Sequence, residues 1–366
     1  MSTATAPPPK VVLTRRLDPD RLEGATLLAE LATRGEIDLT QYDQPGNAPR
    51  AWVLEHVKGA RGVVVMLGDE ASIIFRFFIS LALLKALQPG PSLKVVSTMS
   101  AGFDHVDTRA LKKRNIRLGT TPDALTDATA DIGAMLTLMA SRRAGEGIRA
   151  VVEGKWPTMP WDPLLLCGRG LQGSTVGVLG FGKIGQLTLK RLLGFGIRRV
   201  LYSTSRVGER LCRDKDYFGI ESACRALGVD LRPAETLDEL ARESDFVVVC
   251  CALTRETRGV VGREFLARMK PTAYVVNTAR GPVVDSDALV EAVRQGRLAG
   301  AGLDVVEGEP NISSDHPLVR EAKIVVLPHI GSATVETRSE MSRQAATNCL
   351  AGVGIERFKW AHEVEL

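Results

Sequence analysis

Short apolar runs alternate with longer stretches of helical periodicity along most of the chain. Near-continuous runs of Val, Ile and Leu are typical of strands that are buried on both faces of a parallel sheet. Nine such runs predict strands that begin at Lys10, Gly62, Leu93, Thr175, Arg199, Phe246, Ala273, Ala299 and Lys323. Helical patterns lie between them, for example at 125–141, 183–195 and 285–295. This alternation predicts a doubly wound α/β fold.

A glycine-rich turn follows the predicted strand at Thr175. Gly180, Gly182 and Gly185 form the pattern G-x-G-x-x-G within VGVLGFGKIG, between a strand and a helix. The first glycine allows a tight turn, the second lets the backbone approach a pyrophosphate, and the third lets helix and strand pack closely. The pyrophosphate then meets the N–H groups at the helix N terminus. We interpret the turn as a dinucleotide site; a purely structural glycine turn is the alternative.

The position of this fingerprint also predicts how the chain is divided. Strands begin near residue 10, but the fingerprint starts only near residue 177, so the first hundred residues must form a separate α/β unit. The helix at 125–141 is the expected connector, and the last helix would return to the first unit. We predict a disordered tail at 1–9, a Rossmann domain at 125–330, and a second domain made of 10–124 and 331–366.

The second strand of the predicted Rossmann domain ends in LYSTSR, which bears on the choice of cofactor. NAD enzymes commonly carry Asp or Glu here to accept a hydrogen bond from the ribose 2′-hydroxyl. This chain has the hydroxyls of Ser203 and Ser205 and the guanidinium of Arg206. These groups favour the 2′-phosphate of NADP, although NAD remains possible. Alternatively, Arg206 is a solvated loop charge.

Three polar side chains stand at the ends of later strands. Arg280 lies in VVNTARGPVVD, Glu309 in GLDVVEGEP and His329 in VLPHIGSAT. In an open α/β sheet, strand ends line the ligand crevice. Taken singly, these residues also fit a structural salt bridge, a surface carboxylate and a structural histidine. Together, beside a nicotinamide, they suit reduction of an oxo acid, with arginine holding the anion, imidazolium supplying a proton and carboxylate stabilising the imidazolium.

Composition narrows the function classes. The net charge is only +4 and no Lys/Arg block stands out, so we expect no nucleic-acid partner. The six cysteines form no CxxC pair and the histidines show no metal-ligand spacing, which favours a reducing compartment, taken as the cytosol, and no metal. The longest apolar stretch, at 73–84, is too short to span a bilayer, which takes about 20 residues. We therefore expect no membrane association.

Several motifs in order resemble the D-isomer-specific 2-hydroxyacid dehydrogenases, and within them the glyoxylate/hydroxypyruvate reductase branch. The matching segments are LKVVSTMSAGFDHVD, GTTPDALTDATAD, LCGRGLQGSTVGVLGFGKIG, NTARGPVVDSDAL, AGLDVVEGEP and LPHIGSAT. The resemblance extends from residue 10 to about residue 352. It implies a Rossmann domain plus a smaller, flavodoxin-like α/β substrate domain.

The resemblance also implies roles for individual residues. Arg280 would bind the substrate, His329 would act as acid and base, and Glu309 would be its partner. Backbone N–H groups of Ala101 and Gly102 would hold the substrate carboxylate. Trp161 would reach the neighbouring subunit's site in a homodimer, with Trp156 as a competitor. The expected cofactor-binding residues are Gly180, Phe181, Gly182, Lys183, Ile184, Gly185, Ser203, Ser205, Arg206, Thr278, Asp304, His329 and Gly331, of which Asp304 matches a position that contacts the nicotinamide carboxamide.

The implied activity is NADPH-dependent reduction of small 2-oxo acids, glyoxylate to glycolate and hydroxypyruvate to D-glycerate. Another D-2-hydroxyacid dehydrogenase, or a dinucleotide-sensing, corepressor-like binding protein on the same scaffold, is the alternative. The chain departs from the family pattern in two places. Residues 72–86, near the substrate loop 67–69, are longer and more apolar, and the segment 207–231 is extended.

Overall fold

The structure is a computed structural model that describes residues 7–66 and 93–366. The apolar stretch at 73–84 and the expected substrate loop at 67–69 both lie outside these described residues. Within them, no helix is long and apolar enough to cross a membrane.

The described chain contains strands and helices in regular alternation. The strands are β1 (Lys10–Leu13), β2 (Asp38–Gln41), β3 (Gly62–Met66), β4 (Val95–Met99), β5 (Arg117–Gly119), β6 (Thr175–Leu179), β7 (Arg199–Ser203), β8 (Asp230–Pro233), β9 (Phe246–Val249), β10 (Tyr274–Asn277), β11 (Gly300–Leu303), β12 (Ile324–Val326) and β13 (Glu363–Val364). The helices are α1 (Glu23–Thr33), α2 (Arg50–His56), α3 (Thr108–Lys113), α4 (Thr126–Ser141), α5 (Ala144–Val152), α6 (Lys183–Leu193), α7 (Ile220–Ala226), α8 (Leu237–Glu243), α9 (Arg263–Arg268), α10 (Ser286–Arg294), α11 (Pro317–Arg320) and α12 (Val335–Val353).

Two compact units share these elements. The first contains the described residues up to Leu125 together with Ala333–Leu366, and the second is Thr126–Ser332. The first unit has one sheet in the order β13-β5-β4-β3-β1-β2, in which every pairing is parallel except that of β13 with β5. The order 2-1-3-4-5 within this sheet is that of flavodoxin.

The last long helix, α12, belongs to the first unit although some two hundred residues separate it from the rest. Hydrogen bonds connect α12 to this unit: the Ser342 hydroxyl accepts the Gly24 N–H at 3.0 Å. The Ser97 hydroxyl on β4 donates to the Ala345 carbonyl at 2.9 Å. Cys349 and Leu350 on the same helix are fully buried. The apolar face of α12 is therefore part of the core of the first unit.

The second unit has a parallel sheet in the order β12-β11-β10-β9-β6-β7-β8. Counted from β6, this order is 7-6-5-4-1-2-3, which contains the Rossmann order 3-2-1-4-5-6. Two apolar clusters cover the sheet; one contains residues of α8, α9 and α10, the other residues of α4 and α6. The predicted fold class, a doubly wound Rossmann domain with a second α/β domain, is confirmed.

Four strands were not predicted from the sequence: β2, β5, β8 and β13. β2, β8 and β13 lie at the ends of their sheets in the described part of the chain, where each pairs with one strand. Their residues are polar and partly exposed, as in DLTQ of β2 and DLRP of β8. Edge strands need no continuous apolar run, so their sequences carry a weaker signal.

Candidate active site

The glycine fingerprint lies between the end of β6 and the start of α6. Gly180 has φ = +98°, in the left-handed region, and a Cβ there would overlap the backbone nitrogen of Cys251. A Cβ at Gly185 would overlap the Gly180 carbonyl oxygen. Only glycine satisfies both the backbone conformation at Gly180 and the close packing at the two positions.

Gly182 differs from these two glycines because, within residues 7–66 and 93–366, a Cβ there would meet no atom within 4 Å apart from its own chain neighbours. Its own packing therefore does not require glycine, whereas close approach of a ligand to the backbone would. Gly182 is also the N-cap of α6 and offers no side chain to the first N–H groups of the helix, at Lys183 and Ile184. An anion at this helix end is stabilised by those N–H groups and the helix dipole. The turn therefore fits the pyrophosphate of a dinucleotide.

The side chain of Phe181, in the middle of the fingerprint, packs inside the domain. Its ring is buried and stacks on Tyr202, with 4.4 Å between the ring centroids. The N–H groups of Gly180 and Phe181 both donate to the carbonyl oxygen of Ser203, at 2.9 and 3.0 Å. These contacts fix the loop to the end of β7, so Phe181 supports the turn from inside the domain.

The three residues predicted to select the cofactor, at the end of β7, differ in their exposure to solvent. Ser203 is only 2% exposed, and its hydroxyl donates to the Thr204 carbonyl at 3.1 Å. Ser205 and Arg206 are exposed. Arg206 Nη1 lies 3.2 Å from Glu209 Oε1 in a solvent-exposed ion pair. The structure therefore favours Ser205 and Arg206 over Ser203 as groups accessible to a 2′-phosphate.

The extended segment after Arg206 is held by buried polar side chains of β7 and of the fingerprint helix. The Tyr202 hydroxyl accepts the Leu211 N–H at 2.8 Å. Gln186, fully buried on α6, donates to the Lys215 carbonyl at 2.7 Å and accepts the Tyr217 N–H at 3.1 Å. These anchors were not predicted from the sequence. The available signal was a glutamine among the mostly apolar buried residues of α6.

Arg280 follows β10 in a turn shaped by Asn277. The Asn277 side chain is fully buried; its Oδ1 accepts the Ala279 N–H at 2.9 Å and its Nδ2 donates to the Arg280 carbonyl at 3.0 Å. A Cβ at Gly281 would overlap the backbone nitrogen of Glu307. The absence of a side chain at Gly281 thus lets the Arg280 turn pack directly on the segment that leads to Glu309.

Glu309 and His329 lie within hydrogen-bonding distance of each other. His329 Nδ1 is 2.8 Å from Glu309 Oε1, and the other carboxylate oxygen, Oε2, accepts the Val306 N–H at 3.0 Å. Both side chains are partly exposed, at 35% and 28%. A carboxylate can only accept, so this geometry places a hydrogen on Nδ1 and leaves Nε2 to exchange a proton with a substrate.

His329 has a left-handed backbone, with φ = +53°. A non-glycine residue pays on the order of 1 kcal/mol for this conformation. Asp304, at the end of β11, holds it: its carbonyl accepts the His329 N–H at 2.9 Å, and its carboxylate oxygens accept the Ile330 and Gly331 N–H groups at 2.8 Å each. Asp304 is 1% exposed, and this burial raises its pKa against the opposing effect of the Ile330 N–H.

Thr278, directly after β10, lies beside Cys250, which with Cys251 follows the neighbouring strand β9. Its hydroxyl is 3.6 Å from the Cys250 sulfur. Burial raises the pKa of Cys250 to about 12 and that of Cys251 to about 11. Both thiols are therefore protonated near neutral pH and act as packing groups, because the nucleophile would be the thiolate.

The predicted substrate-binding residues Ala101, Gly102 and Trp161, with the alternative Trp156, lie outside the strand ends described so far. Ala101 and Gly102 lie in the loop after β4, in the first unit, whereas Arg280, Glu309 and His329 belong to the second. Trp161 and Trp156 are 99% and 70% exposed. Among residues 7–66 and 93–366, no group of three or more His, Cys, Asp or Glu side chains is arranged to hold a metal ion.

Comparison with known proteins identifies the family. The family model described as "D-isomer specific 2-hydroxyacid dehydrogenase, NAD binding domain" matches residues 134–331. The human glyoxylate reductase/hydroxypyruvate reductase is 40% identical over 94% of each chain, and a glyoxylate reductase of Pyrococcus furiosus is 35% identical over 94% of this chain and 92% of its own. A crystal structure of an NADPH-dependent glyoxylate/hydroxypyruvate reductase from Sinorhizobium meliloti, in complex with NADP and malonate, aligns with a TM-score of 0.75 at 27% identity, covering 97% of this chain and 96% of that one.

These matches, with the Rossmann sheet and its glycine turn, define an NAD(P)-dependent dehydrogenase that binds a nicotinamide cofactor. The chain belongs to the D-isomer-specific 2-hydroxyacid dehydrogenase family. The family resemblance and the enzyme class predicted from the sequence are thereby confirmed.

The open space at Gly182 generates a test of cofactor binding. Gly182→Ala should leave the unfolding free energy of the cofactor-free protein within about 0.5 kcal/mol of the unchanged value, because the added Cβ meets no described residue other than its chain neighbours within 4 Å. The same Cβ should raise the dissociation constant of the nicotinamide cofactor at least about 10-fold, since it obstructs approach of the pyrophosphate. Urea unfolding and fluorescence titration measure the two quantities.

Gly170→Ala is the matched control, because a Cβ at this position also meets nothing within 4 Å but lies outside the fingerprint. It should change neither quantity. An unchanged cofactor affinity in Gly182→Ala would contradict the assignment of this turn.

Proposed function

We propose that this enzyme reduces small 2-oxo acids, glyoxylate to glycolate and hydroxypyruvate to D-glycerate, with NADPH as the hydride donor and His329 as the proton donor. The observation that carries the chemistry is the 2.8 Å contact between His329 Nδ1 and Glu309 Oε1. The substrate class is supported by the names of the human, Pyrococcus and Sinorhizobium relatives. The free cysteines agree with a reducing compartment, for which we propose the cytosol.

The protein's own groups would divide the work as follows. The family resemblance assigns substrate binding to the backbone N–H groups of Ala101 and Gly102 in the first unit and to the guanidinium of Arg280 in the second. Arg280 also stabilises the negative charge that develops on the carbonyl oxygen. A guanidinium suits this task because its planar fork can bind two oxygens at once.

Proton transfer falls to His329. Glu309 holds Nδ1, so Nε2 of the imidazolium donates its proton to the carbonyl oxygen as that oxygen becomes a hydroxyl. Asp304 keeps the imidazole in place through the backbone of residues 329–331. The nicotinamide cofactor, when bound, supplies the hydride that reaches the carbonyl carbon.

His329→Ala tests both the reaction and the proton donor. The unchanged enzyme should oxidise NADPH in the presence of glyoxylate and hydroxypyruvate. The variant should turn over at least about 10²-fold more slowly, because general acid catalysis is typically worth about 10²–10⁴ in rate. Its dissociation constant for NADPH should stay nearly unchanged. Initial rates at saturating substrate and fluorescence titration give the two values.

His362→Ala, at an exposed position of the first unit, is the control and should retain full turnover. Near-normal turnover in His329→Ala would remove that residue from the mechanism. Failure of the unchanged enzyme to reduce either oxo acid would overturn the proposed substrate class.

Preference for NADPH is proposed from Ser205 and Arg206. No Asp or Glu stands among residues 203–206 to repel a 2′-phosphate, and Arg206, which pairs with Glu209 through Nη1, offers its other N–H groups for charge-assisted hydrogen bonds. We expect catalytic efficiency at least about 10-fold higher with NADPH than with NADH, since such a contact is worth roughly 1.5–3 kcal/mol. Arg206→Ala should remove most of this preference and leave NADH kinetics unchanged.

Steady-state kinetics with both cofactors measure the preference. Arg213→Ala, which removes an exposed arginine from the same loop, serves as the matched control and should retain it. Equal use of both cofactors by the unchanged enzyme would show that these residues do not read the phosphate.

We also propose a homodimer formed through the Rossmann domain, with Trp161 near the partner's site. None of the residues of α5 is buried, and Val152 is 81% exposed. The segment after it exposes Trp156, Trp161 and Leu164, the last at 78%. Several large apolar side chains exposed within one segment of about 15 residues are typical of an interaction surface.

Sedimentation at micromolar concentration should therefore give a dimer. Combining Val152→Glu with Leu164→Glu should give a monomer, because charges are costly in an apolar interface. Leu227→Glu, at another exposed apolar position (61%), should remain dimeric. A monomeric unchanged protein would refute the proposal.

A further inference from the structure

The loop that carries Ala101 and Gly102 rests on a cluster of buried polar side chains. Thr98 and Ser100 are fully buried, and His105 is 8% exposed. Thr98 Oγ1 lies 2.7 Å from Ser100 Oγ and 3.2 Å from His105 Nε2. Ser100 Oγ lies 2.8 Å from the carbonyl oxygen of Gly102. The four groups therefore form one continuous hydrogen-bonded chain beneath the loop.

The carbonyl oxygen of Gly102 determines the direction of every hydrogen bond in this series. A carbonyl oxygen only accepts, so the single hydroxyl hydrogen of Ser100 goes to Gly102. Ser100 must then accept from Thr98, and Thr98, having given its own hydrogen, must accept from His105. His105 therefore carries a hydrogen on Nε2, and the order of donation is His105, Thr98, Ser100, Gly102.

Gly102 is the residue of this loop that most needs an external restraint. It has no side chain to pack, and glycine loses more conformational freedom on folding than any other residue. The Ser100 hydroxyl fixes its carbonyl, and the Ser100 carbonyl in turn accepts the Thr121 N–H at 2.9 Å from the end of β5. The loop is thus held from the sheet on both sides of Ala101.

We propose that Thr98, Ser100 and His105 form a donor relay that positions the Ala101 and Gly102 N–H groups for the carboxylate of the oxo acid. The relay rests on the proposed function, which assigns those two N–H groups to the substrate. Its members are positioning residues, because they act on the substrate only through the loop. They set affinity for the carboxylate and leave cofactor binding and proton transfer untouched.

Thr98 allows a matched pair of substitutions. Thr98→Val is nearly isosteric and removes only the hydroxyl, which interrupts the relay; Thr98→Ser keeps the hydroxyl and removes the methyl group. Thr98→Val should raise the KM for glyoxylate about 3- to 10-fold, the loss expected for one hydrogen bond, with kcat within about 2-fold. Thr98→Ser should retain the original KM. The dissociation constant of NADPH should be unchanged in both variants, which also shows that they fold.

His105 provides an independent pair. The amide nitrogen of Gln can replace Nε2 as a donor, whereas Leu fills the space without donating. His105→Leu should reproduce the KM increase of Thr98→Val, and His105→Gln should restore most of the affinity. A merely structural role would instead lower the unfolding midpoint in proportion to lost packing, without separating Gln from Leu in KM.

The outcomes separate the relay from the function on which it rests. An unchanged KM in Thr98→Val, or equal losses in Thr98→Val and Thr98→Ser, would overturn the relay while the reductase activity stands. A fall in kcat without a change in KM would also overturn it, because the relay would then act on the chemical step. If the unchanged enzyme reduced neither oxo acid, the proposed function would fail and the relay with it.

Discussion

The bond network around Asp304 is the constraint on which the candidate site of the second unit depends. One buried residue accepts three successive backbone N–H groups, two of them with its carboxylate. These bonds offset the cost of a left-handed backbone at His329 and so determine where the imidazole stands. Without that placement, the 2.8 Å contact with Glu309 would not form. Asp304, at the end of β11, therefore fixes the backbone of residues 329–331, which follow β12 and carry the imidazole of His329.

The same principle recurs at the other strand ends of both units. Asn277 closes the turn that carries Arg280, Gln186 fastens the loop after Arg206, and Ser100 holds Gly102. Each is a buried polar side chain bonded to the backbone. Buried polar groups of this kind are costly unless fully bonded, so they specify one loop conformation strongly. In this protein the candidate site residues Arg280, Glu309 and His329 are partly exposed, and buried amide and carboxylate groups determine the conformation of the backbone around them.

Whether a strand could be predicted from the sequence depended on how deeply it is buried. β6, β9 and β10 are central strands covered on both faces, and their apolar runs identified them from the sequence. β2 and β8 are edge strands with polar residues, and neither was predicted from the sequence. Ser203 illustrates a similar limit within the site, because its type suits a phosphate but its hydroxyl is buried and bonded to Thr204. Residue type indicates possible chemistry, whereas accessibility depends on the fold around it.

The sequence by itself determined the fold class, the glycine turn and the candidate catalytic set of Arg280, Glu309 and His329. These depend on local patterns: apolar runs, glycine spacing and polar residues directly after strands. The tertiary structure alone decided which hydroxyl at the end of β7 is exposed, how His329 is held, and which buried groups support Gly102. Some of those features join residues that are far apart in the chain, and others depend on the direction of a single hydrogen bond. Neither kind of feature produces a periodic pattern in the sequence.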